Sequence, residues 1–444
     1  MSNNSQWSSR VGFILASAGS AIGLGAIWKF PFWAGVNGGA AFIIPYIFFT
    51  FTIGVALVMA EVAVGRRGRG SVVSAMRRVG GPWFGIMGAV GVLTAFVILS
   101  YYSVVGGWCV AYLWDAVRGA VTISDPQILK DNFGALVSSG TANVAWHLVF
   151  LSLTCAVVIC GVESGIERIS KYLMPALFIL MLAIIVRGLT LPGAWAGVEY
   201  LFRFRWDSLT SSSVLNAMGF TFFSLSVGAG ILVTYGSYLS DKTSIPNASI
   251  WIAVLAIQAA LLAGLMIMPA VFSFGLEPNA GPGLVFITVP MIFSQVPLGD
   301  VFALFFYVCL LVAALTSAVS LLEVVAAFMQ NEWHLSRRLS VGISWITLFF
   351  LGSVSALSFG PWSGFTVGGR SFFDLLDYVC TNFLMPFGGL AVAVLAAWVA
   401  WPKIREQLST PARQSEHKLM FIHTSLAFLA PLLVLVAVYQ GLFG

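Results

Sequence analysis

Charge is what this chain lacks most. Only 9% of its 444 residues are Asp, Glu, Lys or Arg, while 59% are hydrophobic and the mean hydropathy is +0.95. Soluble domains carry about 25% charged residues, so the composition excludes a soluble protein. Because about 20 apolar residues cross the hydrocarbon core, we predict an all-α integral membrane protein with eleven spans. They fall at 11–35, 40–64, 83–117, 144–162, 168–190, 213–238, 247–275, 299–332, 338–358, 372–401 and 419–442.

Side chains that bind metals or perform covalent chemistry are also scarce. The chain has four histidines and five cysteines. Cys155 and Cys160 share one apolar segment, but no His or carboxylate joins them at metal-ligand spacing. We expect all five thiols to be packed inside apolar segments, and no constellation of nucleophile, base and metal indicates an enzyme. The cysteines are Cys109, Cys155, Cys160, Cys309 and Cys380.

Lys and Arg are divided unequally between the two sets of loops. With a cytoplasmic N-terminus, the inside loops hold fifteen of them and the outside loops hold six. The positive-inside rule therefore predicts a multi-pass protein of a cell inner membrane with its C-terminus outside. The net charge of +5 is then a topology signal, with no nucleic-acid partner implied. The polar stretch at 1–10 argues against a cleaved signal peptide.

Two apolar segments are interrupted by small residues, at 18–25 and at 224–230. Unwound backbone at bilayer depth is tolerated only where it lines a protected cavity. Two such breaks in corresponding places of two halves predict a substrate and ion site at the bilayer midplane of a transporter. We therefore divide the chain into a first half-repeat at 1–190, a second at 213–401, and a linker with one added span at 402–444. The segment 277–297 is predicted to be a re-entrant or capping outer loop.

The residues around these breaks resemble the neurotransmitter:sodium symporter family. The matching stretches run in order along nearly the whole chain: WSSRVGFILA at 7–16, GSAIGLG at 19–25, WKFP at 28–31, NGGAAF at 37–42, EVAVGR at 61–66, FFSLS at 222–226, YGSY at 235–238, ALTSA at 314–318 and FDLLD at 373–377.

The resemblance implies a five-plus-five inverted repeat with broken helices 1 and 6. It also implies sodium-coupled import of a small neutral zwitterion, an amino acid or amino-acid-like compound, by alternating access. A proton-coupled or uncoupled amino-acid or amine carrier on the same fold is the alternative. The expected partners are substrate, Na⁺ and the lipid bilayer, with the protein a monomer or weak oligomer.

The resemblance also assigns residues to the site. Sodium would be held by Gly19, Ile22, Ala313, Thr316 and Ser317. The substrate would contact Ser20, Ala21, Leu24, Gly25, Ile98, Tyr102, Phe223, Ser224, Ser226, Ala229, Ser320 and Leu321. The gates would use Lys29, Asp377, Tyr102, Phe223, Trp7 and Tyr238. Lys29 stands where the family usually has Arg, and Lys lacks the bidentate fork, so we expect a looser outer gate.

Some ion ligands of the family are missing from this chain. Its first sodium site would fall at Ala26, Ser224 and Ala256, and two of these offer no side-chain oxygen. Its chloride positions fall at Phe220 and Ala260, which are apolar. Because a buried ion without ligands is prohibitive, we predict one sodium per cycle and no chloride. What remains there is Tyr46 and Ser224, and an alignment shifted toward Gln258 is the open alternative.

The inner gate also departs from the family. Its Arg–Asp pair falls at Asn4 and Asn331, both neutral, so Trp7 and Tyr238 would close this end with Arg10 and either Glu323 or Glu332. Opening to the inside is therefore expected to be easy. Ionisable residues inside spans usually pair or serve function. Glu61 and Glu323 are interpreted as partners of unwound backbone, with coupling roles as the alternative.

Overall fold

The computed structural model of this chain describes residues 6–275 and 284–443. Within these ranges the regular elements are helices, and the sole strand-like pairing is an isolated bridge between Val367 and Arg370. Nine described helices are long and apolar enough to cross a membrane, and a pair bent by 54° makes a tenth candidate. Asn4 and the first part of the predicted outer loop lie outside the described residues.

The helices are numbered here in chain order. They are α1 (Arg10–Ala21), α2 (Gly25–Val36), α3 (Ala40–Gly68), α4 (Val72–Gly80), α5 (Pro82–Val117), α6 (Pro126–Ser138), α7 (Gly140–Ile159), α8 (Val162–Leu189), α9 (Ala194–Phe202), α10 (Ser211–Ser224), α11 (Ile231–Ser237), α12 (Ile245–Ser273), α13 (Val285–Ser294), α14 (Gly299–Glu332), α15 (Arg337–Leu357), α16 (Phe372–Val399), α17 (Trp401–Leu408) and α18 (Glu416–Val436). The bent pair is α1 with α2.

Most predicted spans match these bounds within a few residues, and α8 shows why one does not. The sequence predicts its start at residue 168, but the helix begins at Val162 in a π-helical turn that ends at Glu167. Gly161, with φ 96°, turns the chain into this helix, a conformation that glycine adopts without strain. The polar residues of this first turn lower the local hydropathy, so the sequence places the start of the helix too late.

One hydrogen bond at each end of the bundle joins the two interrupted segments. At one end Trp7 N donates to Tyr238 O over 3.3 Å. At the other end Asn216 Nδ2 donates to Asn37 Oδ1 over 3.0 Å. The pair α10–α11 therefore connects the same two ends as the pair α1–α2, although neither α10 nor α11 is long enough to span alone.

Packing at the surface corrects one expectation and clarifies another. Cys160 is exposed at the end of α7, so the prediction that all five thiols are packed is wrong for this one. In the described part of the predicted outer loop, α13 packs on the protein: Phe286 is fully buried among the rings of Trp108, Tyr112 and Phe133. That packing agrees with an apolar segment that caps the bundle.

Candidate functional site

The two chain breaks face each other in the middle of the bundle. Helix α1 ends at Ala21, and α2 begins at Gly25. Helix α10 ends at Ser224, and the next six residues are not helical before α11 begins at Ile231. Ser226 in this break donates its hydroxyl hydrogen bond to Ser20 O over 2.9 Å. Ser226 has φ 53°, which is rare for a residue with a side chain and agrees with strain stored at a functional site.

An oxygen-rich cluster lies beside the break in α1. Ser317 Oγ on α14 donates to Ser20 O over 3.1 Å. Thr316 Oγ1, one residue earlier, donates to Val312 O over 3.0 Å and to Ala313 O over 3.2 Å. A Cβ at Gly19 would lie 3.2 Å from Thr316 Cβ, so helices α1 and α14 are in close contact here. Hydroxyl and carbonyl oxygens are the ligands that a hard cation prefers.

An aromatic pair lies over the break on its other side. Leu24 N donates to Tyr102 Oη over 3.1 Å. A Cβ at Gly25 would lie 2.1 Å from Cε1 of Phe223, so only glycine admits this ring. Leu24, Ala229, Ser320 and Leu321 are buried, and Ile98 is half-buried. Ser320 Oγ accepts a hydrogen bond from Tyr235 Oη over 2.8 Å and donates one to Thr316 O over 2.9 Å.

The predicted chloride positions are filled by aromatic rings, whereas Ala26 and Ala256 of the missing sodium site belong to the main apolar core. Phe30, Phe42, Tyr46 and Phe220 pack on one another, with ring centroids 5.2 Å apart for Tyr46 and Phe220. Ala260 belongs to the same apolar cluster. Ser224 Oγ donates to Thr221 O of its own helix over 3.2 Å. We call the four rings the aromatic plug.

Gln258 does not restore a ligand to this region. Its side chain is exposed, whereas Ala256 and Ala260 on the same helix are buried. On an α-helix, residues two apart face different directions, so Gln258 points away from the break. The alternative of a shifted alignment therefore has no support in the packing of α12.

The orientation predicted from the Lys and Arg count is used here only to name the two ends of the bundle. The outer end carries Asn37 and Asn216, and the inner end carries Trp7 and Tyr238.

At the outer end, Lys29 approaches two groups. Its Nζ lies 3.8 Å from Asp377 Oδ1 on α16 and 4.2 Å from the centroid of the Phe223 ring. The two ion-pair side chains are 27% and 36% exposed. The cation therefore connects α16 to the ring that covers the break.

At the inner end, Glu323 closes the bundle with Tyr238, as expected, and with Arg337 in place of Arg10. Arg337 Nη2 lies 2.5 Å from Glu323 Oε2, and Tyr238 Oη donates to Glu323 Oε1 over 2.8 Å. Glu323 is fully buried. Its interpretation as a partner of unwound backbone is therefore wrong. Glu61 does have that role, since its Oε1 accepts from Gly228 N over 2.7 Å.

The expected pairing of Arg10 is also wrong. Arg10 donates to Asn247 Oδ1, and Glu332 pairs with Arg77 at 3.0 Å. Neither Glu323 nor Glu332 is therefore left for Arg10. Trp7 Nε1 does reach α11, donating to Tyr235 O over 2.9 Å.

A second inner network was missed from the sequence. Glu167 at the start of α8 is 1% exposed and accepts from Ser8 N over 2.7 Å, Ser8 Oγ over 2.6 Å and Ser9 Oγ over 2.9 Å. Lys171 Nζ lies 2.7 Å from Glu167 Oε1. A Cβ at Gly12 would lie 2.1 Å from the same oxygen. The carboxylate thus holds the entry to α1 against α8.

This arrangement, two broken helices around an oxygen cluster inside a helical bundle, defines a membrane transporter. Residues 4–125 and 133–443 match the family model described as the Sodium:neurotransmitter symporter family. The chain belongs to that family, whose members are sodium-dependent transporters and not enzymes.

Relatives and a solved structure agree with this assignment. The chain is similar to the sodium-dependent transporter YhdH of Bacillus subtilis, with 40% identity over 391 residues, 88% of this chain and 86% of the relative. It is similar to a sodium-dependent transporter of Haemophilus influenzae, with 33% identity over 457 residues and 99% of both chains. It also resembles the crystal structure of MhsT in complex with L-phenylalanine, with a TM-score of 0.91, 37% identity, and 99% of this chain and 100% of that one covered.

Proposed function

We propose that the chain is a sodium-coupled symporter that imports a small neutral zwitterion, an amino acid or amino-acid-like compound, with one Na⁺ per cycle. The observation that carries this is the meeting of the two breaks at Ser20 and Ser226, beside the hydroxyl of Ser317. Sodium would be held by the carbonyls of Gly19, Ile22 and Ala313 with the hydroxyls of Thr316 and Ser317. This donor set is all oxygen and carries no charge, which suits a monovalent cation.

The two alanines at the first sodium site support the single sodium, and the aromatic plug supports the absence of chloride. The two alanines at 26 and 256 offer no side-chain oxygen, and Phe220 occupies a chloride position with an apolar ring packed on Tyr46. An ion placed there would lose its hydration and gain only the hydroxyls of Tyr46 and Ser224, which are too few to replace it. Sodium at the remaining site would therefore carry the whole coupling.

The substrate would lie between the two breaks. Its carboxylate would reach Tyr102 Oη and the amides of Leu24 and Gly25, at the start of α2, where a helix N-terminus favours negative charge. Its ammonium group would be held by the carbonyls of Ala21, Phe223 and Ser224 and by the hydroxyl of Ser226. The remaining substrate contacts, given above, would form an apolar pocket. The complex of MhsT with L-phenylalanine agrees with a bulky apolar side chain.

The orientation proposed is N-terminus in the cytoplasm of a cell inner membrane and C-terminus outside, with eleven spans once α10 and α11 are counted together. The contacts Asn37–Asn216 and Trp7–Tyr238 support this count, because they connect α10–α11 to both ends of the bundle. Transport would rock the broken helices against the remaining spans.

The test is thermal stability of the detergent-purified protein with a panel of amino acids and related zwitterions, in sodium and in potassium buffer. We expect one class of ligand to stabilise only with sodium, with a sodium Hill coefficient near one. Ser317→Ala should weaken the sodium effect about tenfold, since it removes a ligand worth ~1.5 kcal/mol. Ser344→Ala, a buried hydroxyl that bonds its own helix, is the matched control.

The other outcomes separate the alternatives. A coefficient near two would mean that a second sodium binds although Ala26 and Ala256 offer it no side-chain oxygen. Equal stabilisation in both buffers would contradict sodium coupling and favour the proton-coupled or uncoupled carrier.

A further inference from the structure

We propose that the linker helix α17 restrains opening of the inner end, because Arg66 on α3 fastens it to the segment that follows α11. The arrangement of Arg66, Gln407 and Thr243 is called here the Arg66 clamp. In this inference α11 can leave the inner end only after the clamp has lost one of its two partner segments. The inference rests on the alternating-access motion proposed above and adds a residue that controls it.

Arg66 is a buried cation whose hydrogen bonds are shared between two distant segments. Its side chain is 0% exposed. Nε donates to Gln407 Oε1 over 2.8 Å, and Nη2 donates to Gln407 O. Nη1 donates to Thr243 O over 2.6 Å. The nearby carboxylate, Asp241, is 3.9 Å away and 70% exposed, so these hydrogen bonds to the buried charge come from neutral oxygens of the two segments.

The segment after α11 is the part of the clamp that belongs to a broken helix. Thr243 lies five residues after Tyr238, at the inner end of α11. Arg69 Nη1 donates to Ser237 O over 3.1 Å and to Leu239 O over 2.7 Å. The chain at the end of α11 is therefore held to the inner end of α3 at three backbone carbonyls. A movement of α11 away from this end must break these bonds or pull on the clamp.

On the other side of the clamp, α17 is fixed by contacts of its own. Ile404 and Leu408 are fully buried in the apolar core. Lys403 Nζ donates to Val79 O of α4 over 2.9 Å. The linker helix therefore does more than connect α16 to α18, because it presents Gln407, which is 8% exposed, from a fixed position.

Separation of the two segments would leave the guanidinium of Arg66 with buried N–H groups that have no acceptor. Losing hydrogen bonds to a buried charged group is costly. Arg67, the next residue, shows the contrast, since its pair with Glu406 of α17 spans 3.9 Å and the two side chains are 43% and 60% exposed. That exposed pair can separate into water at little cost. The restraint between α3 and α17 therefore belongs to Arg66.

The experiment follows opening at both ends of the purified full-length protein. Inner opening is read as the rate of maleimide labelling at Ser17→Cys, and outer opening as the rate at Ile98→Cys, each in a Cys160→Ser background. Gln407→Ala removes the side-chain acceptor of the clamp. We expect about tenfold faster labelling at Ser17→Cys, the effect of one hydrogen bond to a charged group, and slower labelling at Ile98→Cys. General loosening of the fold would speed both reactions.

Two further variants complete the test. Gln407→Glu places a carboxylate on the guanidinium without changing the length of the side chain, so labelling at Ser17→Cys should become several-fold slower. It also tests the clamp if Gln407→Ala does not fold. Glu406→Gln removes the exposed pair between the same two helices and should leave both rates unchanged. Rates in Gln407→Ala that match the wild type or rise at both positions would overturn the proposal, as would faster inner labelling in Gln407→Glu.

The sodium response of the same variants separates this inference from the proposed function. All of them keep the proposed sodium ligands, so sodium should still raise their melting temperatures. A wild type without a sodium response would contradict the sodium symporter, while the two labelling rates would still decide whether the Arg66 clamp restrains the inner end.

Discussion

The two ends of the substrate path are closed by different means. At the outer end one ion pair, Lys29–Asp377, spans 3.8 Å and is about one-third exposed. At the inner end two carboxylates, Glu323 and Glu167, are buried and each accepts several hydrogen bonds. Exposed pairs contribute about 0–1 kcal/mol, whereas breaking a buried pair costs about 3–5 kcal/mol. In this structure the inner end is the more firmly closed.

The difference bears on an expectation drawn from the sequence. The neutral residues Asn4 and Asn331 suggested that opening to the inside is easy. Among the described residues, the hydrogen bond of Asn331 goes to Ala327 O of its own helix. Arg337 and Glu323, however, form an ion pair at the same end of the bundle. That pair joins α14 to α15, and Tyr238 joins the end of α11 to the same carboxylate, so this end has buried contacts that do not depend on Asn4 and Asn331.

Glu323→Gln should have the largest effect among the gate variants. Arg337 would keep its charge in a half-buried place without a carboxylate, a loss of about 3–5 kcal/mol. We expect a lower melting temperature and a shift toward the inward-open state. The measurement is the rate of maleimide labelling at Ser17→Cys on α1, in a Cys160→Ser background, since Cys160 is exposed.

The matched control for this variant is Glu416→Gln. It removes the carboxylate of the exposed pair with Arg405 on the same face, so its effect should stay below about 1 kcal/mol. If Glu323→Gln changes stability and labelling no more than Glu416→Gln does, the two ends do not differ as argued.

Glu167→Gln should have the second-largest effect. The amide keeps the shape of the side chain but loses its charge beside Lys171 and one acceptor for Ser8 and Ser9. Hydrogen bonds to charged groups contribute about 1.5–3 kcal/mol, and part of this loss is recovered because the amide still accepts. We expect faster labelling at Ser17→Cys with a smaller drop in melting temperature than for Glu323→Gln.

Its control lies at the other end of the molecule. Glu199→Gln removes an exposed carboxylate one turn from Arg203 and should leave the labelling of α1 unchanged. Labelling at the wild-type rate in Glu167→Gln would mean that the contact with α8 does not restrain the entry to α1.

These networks mark the limit of what the sequence could predict. The spans follow from local hydropathy, and the breaks follow from runs of small residues, so both are local signals. Glu61 and Glu323 carry the same local signal, an acid inside an apolar helix, yet one binds unwound backbone and the other binds Arg337. Which partner each acid finds depends on how distant helices pack.

The burial of individual side chains could not be predicted from the sequence either. Gln258 and Ala256 are two residues apart, and only the packing of α12 decides that the amide faces outward. Arg66 is one of the fifteen Lys and Arg residues that the sequence assigns to the inside loops, but its side chain is buried and donates to Gln407 Oε1 over 2.8 Å and to Thr243 O over 2.6 Å. No periodicity around Arg66 indicates these partners, because they come from segments far along the chain.

Asp377→Asn should have a small effect at the outer end. It removes an ion pair that is partly exposed and 3.8 Å long, so we expect a loss of about 0.2–1 kcal/mol. Labelling of Ile98→Cys, again in a Cys160→Ser background, by a membrane-impermeant thiol reagent from outside should rise several-fold. A melting temperature as low as that of Glu323→Gln would contradict the comparison of the two ends.

Lys29→Arg should have the smallest effect and the opposite sign. A guanidinium can bind Asp377 with two parallel hydrogen bonds and stack on Phe223, whereas the ammonium makes a point contact with each. The pair stays partly exposed, so the gain should be a few tenths of a kcal/mol, seen as slower labelling of Ile98→Cys from outside. Lys130→Arg, an exposed outer lysine, is the control and should change nothing. Faster labelling in Lys29→Arg would mean that the outer gate is shaped for lysine, and the substitution would then count as an adaptation of this chain instead of a weakened copy of the family's pair.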